Sequence, residues 1–147
     1  MKVVDSSAWL SYFAGDKNAT VFAKAIEDLD KLIVPTITLT EVFKNVLRQR
    51  DEESAFATVA HMQQGRVVSL DSELAIDAAG FGALHKLPLA DSIILATAHK
   101  YAATIWTQDS DFEGLAKVRY FAKAMARWRL PFLCGFCVPC AYRNLLF

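Results

Sequence analysis

The sequence predicts an α/β fold built on a central, mainly parallel sheet of four to five strands. Short β-branched runs, around Val3-Val4, Ile33-Val34, Val67-Val68 and Thr104–Thr107, recur between longer stretches of helical periodicity. That alternation requires crossover connections and therefore parallel strands. Acidic residues stand where such runs end, on the rim where open α/β sheets gather their sites. The 147 residues suffice for one domain of ordinary size.

Lys2-Val3-Val4-Asp5 reads as a short buried strand at the start of the chain. Ser6 or Ser7 then caps a helix through Trp9, Leu10 and Phe13, stopped by Gly15. Residues 19–29 form a second helix, with Val21, Phe22, Ala25, Ile26 and Leu29 at helical spacing. Residues 31–34 are a second strand, ended by Pro35. Thr38 or Thr40 caps the next helix, whose apolar stripe is Val42, Phe43, Val46 and Leu47. A helix over 52–64 leads to a strand over 66–70. Asp71 or Ser72 caps a helix through Leu74, Ile76 and Ala78. Pro88 interrupts, and 89–101 form another helix. Thr104–Thr107 is the fourth strand, and 118–121 is the candidate fifth. There is no internal repeat or low-complexity tract.

Composition bounds the function. The chain is 54% hydrophobic, enough to fill a core and leave apolar surface for a partner or a second copy of itself. The 16 basic and 16 acidic residues balance, so any nucleic-acid contact must be local. No apolar run approaches the roughly 18 residues of a membrane span. The start has too short an apolar stretch for a signal peptide. Cysteine is absent before Cys134, which fits a reducing cytosol and a cytoplasmic protein.

Asp5, Glu41, Asp91 and Asp109 carry the chemistry. Each lies beside core-forming sequence, where a carboxylate loses hydration unless something compensates it. Each alone has an ordinary reading: Asp5 and Asp109 as helix caps, Asp91 as a first-turn acid favoured by the helix dipole, Glu41 as a surface acid. Gathered on one sheet rim, they instead suggest a shared divalent cation. A hard ion such as Mg²⁺ takes carboxylates and keeps several waters, which points to metal-assisted phosphodiester chemistry.

With their neighbours, these acids resemble a known family. Val4-Asp5-Ser6-Ser7-Ala8-Trp9, Thr40-Glu41-Val42, Leu89-Ala90-Asp91-Ser92-Ile93-Ile94-Leu95-Ala96 and Thr107-Gln108-Asp109-Ser110-Asp111-Phe112 are similar to the motifs of PIN-domain ribonucleases, nearest the VapC-type toxins of toxin–antitoxin pairs. The resemblance runs over about residues 1–121 in the family's order. It implies an α/β/α sandwich, an acidic Mg²⁺ or Mn²⁺ site, endonucleolytic cleavage of RNA, and neutralisation by a cognate antitoxin. It makes Asp5 and Asp91 the main metal ligands. Glu41 completes the site or positions the attacking water, and Asp109 serves a second metal or the first ion's water shell. Ser6 and Thr107 orient carboxylates. Asp111 is read as a cap.

Lys44 and Arg48 follow Glu41 on one helix face, with Arg50 beyond, and can hold an RNA phosphate. His61, His85 and His99 lie away from the acids and are read as structural or surface residues. Residues 1–124 form the nuclease-like domain, and 125–147 an atypical tail containing Cys134, Cys137 and Cys140. Three thiolates without a following His make a poor zinc or iron–sulfur set. After residue 126 there are three Arg and no acids, so the domain itself is slightly acidic. Two competitors are a catalytically degenerate module that only sequesters an antitoxin, and an aspartyl-phosphate phosphatase. The four acids disfavour the first. Ser7, where the second would want an Asp, disfavours the other.

Overall fold

The computed structural model describes residues 1–123. The expected tail and its cysteines lie outside the described residues. The sheet has strands β1 (Lys2–Val4), β2 (Leu32–Pro35), β3 (Arg66–Val68), β4 (Thr104–Thr107) and β5 (Val118–Tyr120). Their order is β3-β2-β1-β4-β5, and every pairing is parallel. The connections carry helices α1 (Ser6–Ala14), α2 (Ala19–Ile26), α3 (Thr36–Gln49), α4 (Glu52–Met62), α5 (Ser72–His85) and α6 (Leu89–Lys100).

Strand alternation makes this an α/β/α sandwich. Val3, Ile33 and Ile105 face one layer, against Leu74 and Ala78 of α5 and Ile94 and Ala98 of α6. Val4, Leu32, Val34 and Trp106 face the other, against Trp9 of α1, Phe22 and Ile26 of α2, Val42 of α3 and Met62 of α4. Both faces of the central strands are covered. Their sequences therefore read as continuous apolar runs rather than as polar–apolar alternation.

The strand order reverses at β1. From there the sheet grows through β2 in one direction and through β4 in the other. The crevice outside the carboxyl ends of β1 and β4 is thus the switch point where such sheets bind ligands. Asp5 follows β1, and Gln108 and Asp109 follow β4.

Several element boundaries differ from expectation. Asp5 itself, not Ser6 or Ser7, caps α1, its side chain accepting from the Ser7 N–H. Neither Thr38 nor Thr40 caps α3. The helix begins two residues before Thr38, behind Pro35, whose ring presets an extended entry at φ −63°. Thr40 donates back to the Thr36 carbonyl at 3.3 Å, and Thr38 is fully buried. α2 stops at Ile26, because the chain tightens into a 3-10 turn at Leu29–Lys31 that leaves Leu29 exposed. β3 ends at Val68, its last residue paired to β2, and leaves Leu70 exposed. On α5, Asp71 is the cap, accepting from the Leu74 N–H at 2.7 Å. Ile76 is 74% exposed, because the helix turns Leu74 and Ala78 to the sheet instead. Gly15 stops α1 as expected, with a left-handed φ of 65°.

Candidate active site

Asp5 is held hardest. Its N–H continues the ladder to the Trp106 carbonyl at 3.0 Å, so the backbone leaves β1 with no freedom before α1 begins. The side chain is 1% exposed. Its Oδ2 accepts from the Ser7 N–H at 3.2 Å, the Ser7 hydroxyl at 2.5 Å and the Thr107 hydroxyl at 2.9 Å. Among the described residues, its Oδ1 accepts only from the Ser6 hydroxyl, at 3.4 Å. Thr107 thus donates to the Asp5 carboxylate. The principal hydroxyl donor from α1 is Ser7, with Ser6 the weaker one. The sequence signal was the pair Ser6-Ser7, and helix phase decides between its members. As cap residue, Asp5 turns one oxygen back over the first helical turn, which brings it to Ser7.

Asp91 is the third residue of α6, 9% exposed on a helix whose residues 91–98 are all buried. The helix N-terminus favours its charge, but burial opposes it more strongly. Burial first, then the charges of Asp5, Asp109, Glu41 and Asp111, raise its pKa from 3.8 to about 7. Glu41 lies in the second turn of α3 and is half-buried. Its pKa is also raised, by burial first and then by Asp5 and Asp109, while the neighbouring Ser6 hydroxyl acts in the opposite direction. Its Oε2 is buried without a hydrogen-bond partner among the described residues. Asp109 caps a 3-10 turn, Ser110–Phe112, accepting from the Asp111 N–H at 3.1 Å. Asp111 is thus the residue capped rather than the cap, because the turn starts directly after Asp109. It stands exposed close enough to repel Asp91.

The fold brings Asp5, Glu41, Asp91 and Asp109 into one electrostatic neighbourhood from four different elements. They present hard oxygen donors only, with one buried oxygen unpartnered and one carboxyl poised near neutrality. That donor set fits a hard divalent cation. Among the described residues no group of three His, Cys, Asp or Glu already converges on a single ion position. The fit is to an ion held directly by one or two carboxylates and otherwise through water, the habit of Mg²⁺.

Lys44 and Arg48 are exposed on α3 and enter no ion pair among the described residues. Arg48 donates to Asn45 Oδ1 at 3.4 Å. Lys44 borders an open apolar groove of about 390 Å³, lined also by Leu39, Thr40, Phe43 and Leu47 of α3 and Val59 of α4. The histidines pack on rings. His61 stacks on Tyr12 beside Trp9 and Phe13, and His85 and His99 lie against Phe81. Burial holds the His61 pKa below its usual value, against the charge of Glu27. No helix among the described residues is long and apolar enough to cross a membrane.

The PIN domain family model matches residues 2–118. Among solved structures, the chain is similar to a toxin–antitoxin complex from Klebsiella pneumoniae, at 22% identity and a TM-score of 0.67 over 81% of this chain and 96% of that one. It is equally similar in fold to VapC20 of Mycobacterium tuberculosis, described as a sarcin–ricin loop cleaving toxin, at 21% identity and TM-score 0.67 over 81% and 99%. DNA-bound VapBC from Salmonella typhimurium follows at 16% and 0.64, over 82% and 96%. At these identities the likeness is one of fold. No curated protein matches the chain.

Proposed function

Because this chain belongs to the PIN domain family, we propose that it is a Mg²⁺- or Mn²⁺-dependent endoribonuclease, acting as the toxin of a toxin–antitoxin pair. The observation that carries the reading is the gathering of four acids from separate elements on the rim at β1 and β4, with Glu41 Oε2 unpartnered and Asp91 raised to about 7. VapC20 of similar fold, described as a sarcin–ricin loop cleaving toxin, supports it.

In this reading Asp5 and Asp91 hold the cation. When bound, the ion supplies charge neutralisation on the scissile phosphate and a lowered pKa for coordinated water. Asp5 offers Oδ1, because Oδ2 is engaged by Ser7 and Thr107. Glu41 would offer its unpartnered oxygen to the attacking water, aligning it and taking its proton, a role for a carboxyl whose pKa burial raises above the ordinary value. Asp109, following β4, would orient water held at the site. Lys44 and Arg48, one and two turns along α3 from Glu41, hold phosphates of the RNA strand and supply the local positive charge that a neutral chain otherwise lacks.

The partners of this reading are RNA, a cognate antitoxin and a second copy of the chain. Similar folds have been solved as toxin–antitoxin complexes, which supports the antitoxin. The exposed Ile76, Leu84 and Leu89, each more than 70% accessible, leave apolar surface for a homodimer. A monomer at micromolar concentration by light scattering would count against the second copy.

The test is cleavage. Purified protein should cut RNA with Mg²⁺ or Mn²⁺ and stop in excess EDTA. Asp5→Asn should lower cleavage about tenfold or more, since it removes charge from a small ligand set. Full cleavage in EDTA would overturn the proposal.

A further inference from the structure

We infer that Gln108 is a positioning residue for the metal site, acting on Asp5 through Ser7. The inference rests on the proposed metal-dependent reading.

The argument is one of proton direction. A hydroxyl has one proton to donate, and what it accepts decides where that proton goes. Thr107 Oγ1 accepts the Asp109 N–H at 2.8 Å and so gives its proton to Asp5 Oδ2. Ser7 Oγ accepts the Gln108 N–H at 3.3 Å and gives its proton to the same oxygen. The two hydroxyls are 3.4 Å apart and aim together at Oδ2. With Oδ2 engaged by three donors, Oδ1 is the oxygen left to serve as a ligand atom.

The Gln108 side chain holds this arrangement together. It is 8% exposed. Its Nε2 donates to the Ser7 carbonyl at 3.0 Å, tying the first turn of α1 to the end of β4. Its Oε1 accepts from Asn18 Nδ2 at 3.1 Å. Asn18 also donates to the Ala122 carbonyl at 3.1 Å, where the chain has left β5. Because carbonyls only accept, the Ser7 and Ala122 carbonyls fix which end of each amide is nitrogen, and the network has one consistent assignment. Gln108 thus grips Ser7 twice, by backbone N–H at the hydroxyl and by side chain at the carbonyl. Without the side chain, Ser7 can shift away from β4 and its hydroxyl can turn from Asp5. Groups that orient a ligand in this way matter to metal affinity nearly as much as the ligand itself.

The experiment titrates Mn²⁺ alone into the full chain, reading free ion by electron paramagnetic resonance, with a thermal melt of each variant alongside. Gln108→Met keeps the bulk and removes the amide. It should weaken Mn²⁺ binding about tenfold. Ser7→Ala should weaken it at least as much, and Ser7→Thr, which restores the hydroxyl, should recover most of the loss. The double variant should bind no worse than Ser7→Ala alone, because Gln108 acts through Ser7. Unchanged Mn²⁺ affinity in Gln108→Met, whatever its melting temperature, would overturn the inference, as would additive losses in the double variant. If Gln108→Met fails to fold, Asn18→Ala removes the amide's other anchor and should weaken binding in the same direction; unchanged affinity there would equally overturn it. A wild-type chain that binds no Mn²⁺ would instead refute the metal-dependent reading on which the inference stands.

Discussion

At the scale of single residues, the acids could be found in the sequence because a carboxylate beside an apolar run is costly and needs a reason. The partners of those acids were harder to read. Thr107 could be anticipated because it ends the strand that precedes Asp109. The division between Ser6 and Ser7 could not, since it depends on Asp5 being both strand end and helix cap. Gln108 gave no sequence signal at all, because its role depends on Asn18 and Ser7, distant in the chain. Asp91 leads to a pH prediction. Its folded pKa is raised to about 7, above the ordinary value of 3.8, so the folded metal-free protein binds this proton more tightly than the unfolded chain does. The stability this proton contributes is complete below about pH 4 and is lost as pH rises through about 7. In EDTA, the melting temperature of Asp91→Asn relative to wild type should therefore rise between pH 4 and pH 8. A difference constant across that range would mean that Asp91 keeps an ordinary pKa.

At the scale of elements, strand positions and helix order followed from periodicity, while helix starts did not always. α3 begins behind Pro35, so the two threonines that looked like caps sit inside the helix, one donating to its own backbone and one buried. Ile76 stands exposed because Leu74, Ile76 and Ala78 cannot all share one face of a helix. The contact between α5 and α6 is set by glycine in a way the sequence did not reveal. A Cβ at Gly82 would come within 2.8 Å of Ser92 Oγ, which already donates to the Pro88 carbonyl at 2.6 Å. A Cβ at Gly80 would meet nothing within 4 Å. Gly80→Ala should thus stabilise by about 0.5–1 kcal/mol through helix propensity. Gly82→Ala should gain less or lose outright, because it moves Ser92 beside Asp91. Equal effects of the two substitutions in denaturant melts would contradict this packing.

At the scale of the whole molecule, a parallel sheet with order β3-β2-β1-β4-β5 brings together acids far apart in the chain. The parallel sheet was legible in the alternation of strands and helices. The reversal at β1, which decides that Asp5 and Asp109 share a crevice, was not legible from periodicity. The central claim is that the four acids form one cation site, at which their charges repel when no metal is bound. Like charges about 5 Å apart at an effective dielectric near 20 cost roughly 3 kcal/mol, reduced in practice by rearrangement and water. A cation that binds only the folded site reverses that cost by mass action. The direct measurement is a thermal melt of wild type and Asp91→Asn in EDTA and in Mg²⁺ at neutral pH. The variant should melt higher than wild type in EDTA, and added Mg²⁺ should raise wild type far more than the variant. If Asp91→Asn melts lower in EDTA and responds to Mg²⁺ as wild type does, Asp91 is a helix-start residue and the acids do not share a site.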